Sequence, residues 1–349
     1  MTKVFSILYI VVIFAAFGIV ACNEDKHNYE KNEKNDIIRF DKLLFETDTS
    51  QLISKLEDFH QKHPRFYTIY FSKIVPIIGF DKDKKTFEEE LKKYVTDKSL
   101  REIYQLTKEE FGDLNDINKQ FEKAFDRYRR LFDNDDTPLL FAYISGFNTQ
   151  RFIFEENDRD CLAFGLDLFL GDKYPYTTLN NNRNTFASYL TRTYNKDHLV
   201  KKVLELWLDD KMKISDNKRA IDYIIKNGKK LYILKQLMPE INDTVLLEYD
   251  EEQLKWLNNN EKEMWSYYIE KNFFYTTDRY VIKRLVEAAP NSQALGMPRK
   301  SPGYTGNYLG YKIVSAYMKR NKELSLNDLI KDKDSQKILE LSKFKPKIK

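Results

Sequence analysis

Four histidines, two cysteines and one Ser-Gly pair are the side chains from which this 349-residue chain could build a catalytic centre. A zinc hydrolase needs His-Glu-x-x-His on one helix, because imidazoles at i and i+4 share a face and the glutamate polarises the metal-bound water. The histidines are His27, His60, His63 and His198. His60-Gln61-Lys62-His63 has i, i+3 spacing with no following glutamate, and Pro64 ends its helix. His198 stands alone, and His27 lies in a polar stretch. Ser145-Gly146 lacks the preceding glycine of a Gly-x-Ser-x-Gly elbow, and no Gly-x-x-x-x-Gly-Lys-Ser/Thr phosphate loop occurs. Asp209-Asp210, Glu155-Glu156 and Glu251-Glu252 are adjacent carboxylates of the kind that 54 acidic residues produce by chance, and they read as solvated faces. The expectation is no catalytic residue, no metal and no cofactor. The alternative is an atypical exported metallohydrolase using His60, His63 or His198.

Cysteine carries a different chemistry. Residues 4–21 are uncharged and mostly apolar after a single Lys3, and the chain turns polar at Asn23-Glu24-Asp25-Lys26. A basic start, an apolar core and a small residue before the cut form a secretory signal. Ile19-Val20-Ala21-Cys22 looks like a bacterial lipobox, which predicts cleavage between Ala21 and Cys22. Cys22 is then the acylated N-terminus, palmitate being the expected chain. Cys161 is left without a partner, so no intramolecular disulfide is expected despite export. Its apolar surroundings, Cys161-Leu162-Ala163-Phe164, predict a small buried residue rather than a reactive thiol.

The elements that position these groups follow from composition and periodicity. The net charge of +4 falls to +3 once Lys3 is removed, with no arginine-rich stripe, so nucleic acid is not an expected partner. Phe and Tyr number 24 and 23 while Gly and Pro are scarce, which favours a helix-rich body. Residues 22–36 alternate Lys, Glu, Asp and Asn and cannot offset their ordering entropy, so they read as a flexible tether. Residues 37–349 form the folded body. Helical spacing runs from Ser50 to about Gln105 with breaks at Pro64 and Pro76. It continues over 114–131, where Ile117, Phe121, Phe125 and Leu131 form the apolar side. Short runs at 139–144, 152–154 and 162–170 predict three strands. Helices are then expected at 186–194, 198–207, 219–238, 251–258, 261–272, 278–288 and 308–320.

Residues 297–318 stand apart, because Gly303, Gly306 and Gly310 fall in one short span with Pro302. Such a segment builds a shaped loop leading into a helix, and Gly310 admits another element close to it. Two readings are open and compatible. One is a helix-entry loop packed on the core. The other is a partner-binding loop made of Pro302, Gly303, Tyr304, Gly306, Tyr308, Gly310 and Tyr311.

Ser301-Pro302-Gly303-x-x-Gly306-x-x-x-Gly310-x-x-Ile313-Val314-x-x-Tyr317-Met318 closely resembles the C-terminal signature of the gliding-motility lipoprotein B family of Bacteroidota. Further blocks match in order: Arg39-Phe40-Asp41, Gly165-Leu166-Asp167 with Leu170-Gly171, and Gly228-Lys229-x-Leu231-Tyr232. After these come Gln253-Leu254-x-Trp256, Asn260-Glu261 with Trp265, Thr277-Asp278, and Ser342-Lys343-x-Lys345-Pro346. The resemblance covers about residues 39–346. It implies a lipoprotein needed for gliding, associated with the envelope machinery that also serves type IX secretion. It also implies a distant likeness to exported zinc peptidases, with a small sheet and a His-Glu-x-x-His helix. Between Asp167 and Gly228, where that helix would fall, the only histidine is His198, and Asn227-Gly228 stands where Glu-Gly would supply a third ligand. The expected fold is therefore α+β and mostly α-helical, a helical body with a small embedded sheet on a degenerate zinc-peptidase-like plan. The expected role is a non-catalytic scaffold, anchored to a membrane of the cell envelope and facing the periplasm. Its expected partners are other gliding and secretion proteins, with no small-molecule substrate.

Overall fold

Leu139–Tyr143 and Arg159–Gly165 are apolar on both faces, as strands must be when helices cover both sides of a sheet. In the computed structural model, which describes residues 36–134, 136–179, 185–214, 216–292, 294 and 296–346, they lie at the centre of a four-stranded sheet. The expected signal segment, Ala21/Cys22 cleavage, lipid on Cys22 and tether, with His27, lie outside the described residues, apart from Asp36 at the expected tether's end.

The strands are β1 (Ile38–Arg39), β2 (Leu139–Tyr143), β3 (Arg151–Glu156) and β4 (Arg159–Gly165), in the order β1-β2-β4-β3. β1 and β4 run parallel to β2, and β3 closes an antiparallel hairpin on β4. The hairpin turn is Asn157-Asp158, both with positive φ (52° and 59°), the backbone that a two-residue turn between right-twisted strands requires. β1 pairs Ile38 with Phe141 and is too short to have a period of its own; the sequence reading did not include it. The third expected strand ends at Gly165 rather than Leu170. Asp167 turns inward there and the chain forms a 3-10 turn over Leu166–Leu168.

The helices are α1 (Phe40–Glu46), α2 (Leu52–Lys62), α3 (Pro64–Ile69), α4 (Lys84–Thr96), α5 (Lys98–Phe111) and α6 (Asn115–Phe132), all before β2 except as they flank β1. After the sheet come α7 (Ser188–Thr191), α8 (Lys196–Lys211), α9 (Ala220–Leu237), α10 (Asp243–Leu247), α11 (Glu251–Asn259) and α12 (Glu261–Glu270). The last four are α13 (Arg279–Val286), α14 (Thr305–Arg320), α15 (Leu326–Lys331) and α16 (Ser335–Ser342). The helix expected over 186–194 contracts to α7. On α6, Ile117, Phe121 and Phe125 are buried as expected, but Leu131 in the last turn is 40% exposed.

The sheet separates two packing layers. Phe141, Tyr143, Phe152 and Phe154 share one face and meet Phe66 of α3, which touches Phe40 and Tyr70 in turn. Phe40 thus ties the sheet edge to this aromatic cluster, while its neighbours Arg39 and Asp41 form a two-pronged ion pair (2.8 and 2.6 Å). On the opposite face Phe164 meets Phe121 of α6, and the contact continues through Phe125 to Trp207 of α8.

The C-terminal half is organised by α9. Ile221, Ile224, Ile225, Leu231, Ile233, Leu234 and Leu237 are buried around most of its circumference, the pattern of a helix enclosed by others. α14 crosses it at Gly228 and Gly310. A Cβ on Gly228 would lie 2.3 Å from the Gly310 backbone, and one on Gly310 would lie 2.1 Å from the Ile224 carbonyl oxygen. Helix propensity alone makes Gly→Ala favourable by up to about 1 kcal/mol. Here the methyl collides with backbone that cannot swing aside, so the sign reverses. Gly310→Ala and Gly228→Ala should each lower stability by about 3 kcal/mol or more in urea denaturation followed by circular dichroism. A neutral or stabilising result would show that the two helices are free to separate.

Candidate functional site

Lys201 and Lys202 sit in the middle of α8 between Val200 and Val203, and both are buried. A lysine pair is held there only if carboxylates neutralise it. Lys201 reaches Glu205 one turn ahead (2.8 Å) and Glu248 (2.8 Å), and Lys202 reaches the same Glu248 (3.0 Å). Burial opposes the charge on Lys201, but the two carboxylates outweigh it and raise its pKa. Burial also opposes ionisation of Glu248, yet the two ammonium groups hold its carboxyl well below the usual range. Lys202 differs. Burial lowers its pKa against the attraction of Glu248, and Lys201 and Arg151 add to the lowering.

Glu248 ends α10 in the left-handed region (φ 55°), and Tyr304, just before α14, is also left-handed (φ 38°). Neither is glycine, so each conformation costs on the order of 1 kcal/mol and must be imposed by its neighbours. They restrain one another. The Tyr304 hydroxyl donates to the Glu248 carbonyl oxygen, and Arg192 donates to the same oxygen (2.6 Å). The Tyr249 ring stacks on Tyr304 (4.8 Å), while its hydroxyl lies 3.0 and 3.1 Å from the Gly303 and Tyr304 carbonyl oxygens.

These residues border a cleft of about 370 Å³, lined by Arg151 of β3, Glu205 and Asp209 of α8, Asn227 and Lys230 of α9, Glu248, Tyr304 and Asn307 of α14. A smaller recess beside it reaches Lys201 and Tyr308. Asn227 donates to Asn307 across the helix crossing (2.8 Å), and Asn307 donates to the Val286 carbonyl oxygen (3.1 Å). Asp209 is about half exposed and ion-paired as well. It pairs with Lys230 (2.7 Å) and Lys226 (3.2 Å), which hold its pKa down against partial burial.

The loop glycines act through close approach rather than left-handed backbone. A Cβ on Gly303 would meet the Ala289 carbonyl oxygen at 2.4 Å, and one on Gly306 would meet that of Leu285 at 2.8 Å. Pro302, Gly303, Tyr304, Gly306, Tyr308 and Gly310 are buried, and Tyr311 is half-buried. The Tyr308 hydroxyl donates toward Asn258 (3.0 Å) and Glu261 (2.8 Å). Most of this segment is therefore packed as the helix-entry reading expects. The Tyr304 and Tyr308 hydroxyls are taken by internal acceptors, Tyr311 stays half-buried, and Tyr304 borders the cleft together with Asn307.

The candidate histidines are not brought together. His60 is exposed and stacks on Tyr67 (4.3 Å). His63 donates through Nδ1 to Glu156 (3.0 Å), whose other oxygen accepts from the Arg65 backbone N–H (2.9 Å). Glu156 is thus buried and paired, which corrects the expectation of a solvated Glu155-Glu156 face. His198 lies across the sheet on α8, with Nδ1 2.8 Å from the Asn195 side-chain oxygen. One helical turn beyond it stands Lys202, an ammonium where a metal pair would need a second imidazole. Among the described residues no three His, Cys, Asp or Glu side chains meet in a group that could hold a metal ion. The Ser145 hydroxyl lies 3.1 Å from the buried Asp167, which also accepts from the backbone N–H of Phe147 (2.6 Å). Burial pushes the Asp167 carboxyl up to about 6 against these hydrogen bonds. Cys161 is fully buried, and burial pushes its thiol up to about 12. Arg151, Lys201, Lys202, Glu205 and Glu248 escaped sequence reasoning. The one local signal was Lys201 and Glu205 at i, i+4 inside an apolar helix.

A family model described as gliding motility protein GldB matches residues 22–346. No curated protein and no solved structure matches the chain.

His198 reports on the electrostatics of the cleft. Burial, with Lys202, Lys201 and Arg192 working against Glu248, lowers its pKa to about 4 from 6.5. A histidine whose folded pKa is depressed contributes stability that is present above its unfolded pKa and lost as pH falls toward the folded one. The window is therefore pH 6.5 to about 4. Asp167, with its raised pKa, works in the opposite direction there, so the comparison must be made between variants. Between about pH 7 and about pH 4.5, the melting temperature of the unaltered protein should fall a few degrees further than that of His198→Gln. Parallel curves would contradict a buried neutral His198.

Proposed function

Because this chain belongs to the family of gliding motility protein GldB, we propose that it serves the gliding machinery as a non-catalytic binding component tethered to a membrane. The observation that carries the non-catalytic part is Lys202, placed one turn after His198 and already neutralised by Glu248. A lysine at that position supplies no imidazole to a metal ion, and the carboxylates around it are each committed to lysines. What remains is a rigid polar cleft on a helical body, suited to holding a partner or ligand rather than activating water.

The tether is assigned to Cys22, which follows the lipobox-like Ile19-Val20-Ala21 and is the first residue matched by the family. No helix among the described residues is long and apolar enough to cross a membrane. A lipidated N-terminus on the polar stretch to Asp36 would place the body in the periplasm, beside envelope proteins of the gliding and type IX secretion apparatus.

Replacing Cys22 with Ala should move the protein from the membrane to the soluble fraction and abolish surface spreading. Normal spreading by that strain would remove the tether from the mechanism. Elemental analysis of the purified full chain should give zinc far below one atom per molecule, whereas stoichiometric zinc would overturn the non-catalytic reading.

A further inference from the structure

The cleft is lined by three carboxylates and two cations, Arg151 and Lys230, and the balance turns positive only when the ion-paired Lys201, Lys202 and Lys226 beside it are counted. Its three carboxylates, Glu205, Asp209 and Glu248, are ion-paired with Lys201, Lys202, Lys226 and Lys230. Arg151 joins them as a further cation and shares none of these pairs. It is the first residue of β3, and its register opposite Phe164 puts it on the sheet face that packs against α6 and α8. Its Nη1 donates to the neighbouring Gln150 side chain. Its Nε is shielded from solvent and has no hydrogen-bond partner, and no ion pair among the described residues includes it. Arg151 therefore lines the cavity with a guanidinium outside every ion pair described, and its planar N–H groups match two oxygens of one carboxylate or phosphate.

The remaining lining fits a small polar guest. Asn227 gives one of its two amide N–H donors to Asn307 and keeps the second, and Lys230 keeps donors beyond the one it gives Asp209. The volume of about 370 Å³ lies at the small end of ligand-sized pockets. The cleft is also held in shape before any ligand arrives. Its walls are β3 in the sheet and the glycine-locked α9–α14 pair, and its rim carries the left-handed Glu248 and Tyr304.

We propose that this cleft is a binding site for a small oxyanion ligand, bearing a carboxylate or phosphate group, that Arg151 holds with help from Lys230 and Asn227. The proposal rests on reading the cleft as a binding rather than a catalytic site. The oxyanion has more than one source: a free metabolite-sized anion, or the C-terminal carboxylate of a short peptide.

Isothermal titration calorimetry on the full chain in detergent, at low ionic strength, separates these. The probes are inorganic phosphate, succinate, and N-acetyl-Gly-Gly with either a free carboxylate or a carboxamide end. At least one oxyanion probe should bind. Binding of the peptide acid but not of phosphate or succinate assigns the site to chain ends, and the reverse assigns it to free anions. For a peptide ligand the carboxamide should be weaker by about tenfold or more. Arg151→Gln should weaken binding by a similar factor, and Arg151→Lys should restore part of it. Ala288→Trp provides a second arm that keeps every charge in place: it narrows the cleft from its exposed lining residue Ala288 and should also block binding. Absence of binding by every oxyanion probe at millimolar concentration would overturn the proposal, as would binding indifferent to both Arg151→Gln and Ala288→Trp. Such a failure leaves the tether and the metal analysis untouched, because those are read by fractionation and by zinc content.

Discussion

The contact between Gly228 and Gly310 is the constraint on which the C-terminal half depends. Two helices whose side chains interdigitate keep their axes about 8–10 Å apart, whereas glycine on both sides lets backbone meet backbone. Once α14 is pressed against α9 at that depth, Asn307 is carried within hydrogen-bond reach of Asn227, and Gly306 is seated under Leu285. The chain entering α14 then has no room to approach gradually. It folds over Ala289 at Gly303 and turns through the left-handed Tyr304, whose ring is caught by Tyr249 and whose hydroxyl reaches Glu248. One close approach therefore fixes the loop, a wall of the cleft and the backbone of the central carboxylate.

That carboxylate decides the character of the site. Burying two lysines and two glutamates gains little stability over apolar side chains of the same size, because desolvation consumes most of the attraction. Their value is positional. Glu248 can neutralise Lys201 and Lys202 together only from the end of α10, and it reaches that place by adopting a backbone that non-glycine residues rarely use. Removing either lysine would leave the arrangement unbalanced, so the network fixes α8, α10 and the entry to α14 as one unit. The same network keeps His198 neutral and hydrogen-bonded to Asn195.

Elements with strong local patterns were legible in the sequence. The apolar stripe of α6 and the runs that became β2 and β4 follow from periodicity and burial alone, as does the buried Cys161. Leu131 misled because it occupies the last turn of α6, where the covering layer has ended. β1 was invisible because two residues carry no period, and it exists through pairing with a strand a hundred residues away. The glycine spacing in 303–310 announced close packing, but nothing in the sequence said that Gly228 was the other half. The tyrosines of that loop looked available for a partner, since sequence does not reveal which hydroxyls have internal acceptors. The cleft itself was the least legible feature. Its residues come from β3, α8, α9, α10 and α14, and the Lys201–Glu248 pair joins positions 47 apart.

This dispersal has a physical consequence. Arg151 is placed by the antiparallel register of β3 on β4, so its position is set by the sheet and, through Phe164, by α6. Asn227, Lys230, Tyr304 and Asn307 are placed by the α9–α14 crossing, which shares no hydrogen bond with the sheet ladder. Two sets of contacts, joined through α6 and α8, thus hold opposite walls of one polar space. Apolar walls would gain by closing on each other, but closing charged and amide groups together without new partners would cost their solvation. The cleft therefore stays open, and anything that bridges Arg151 to the α9–α14 wall links the sheet layer to the helical layer.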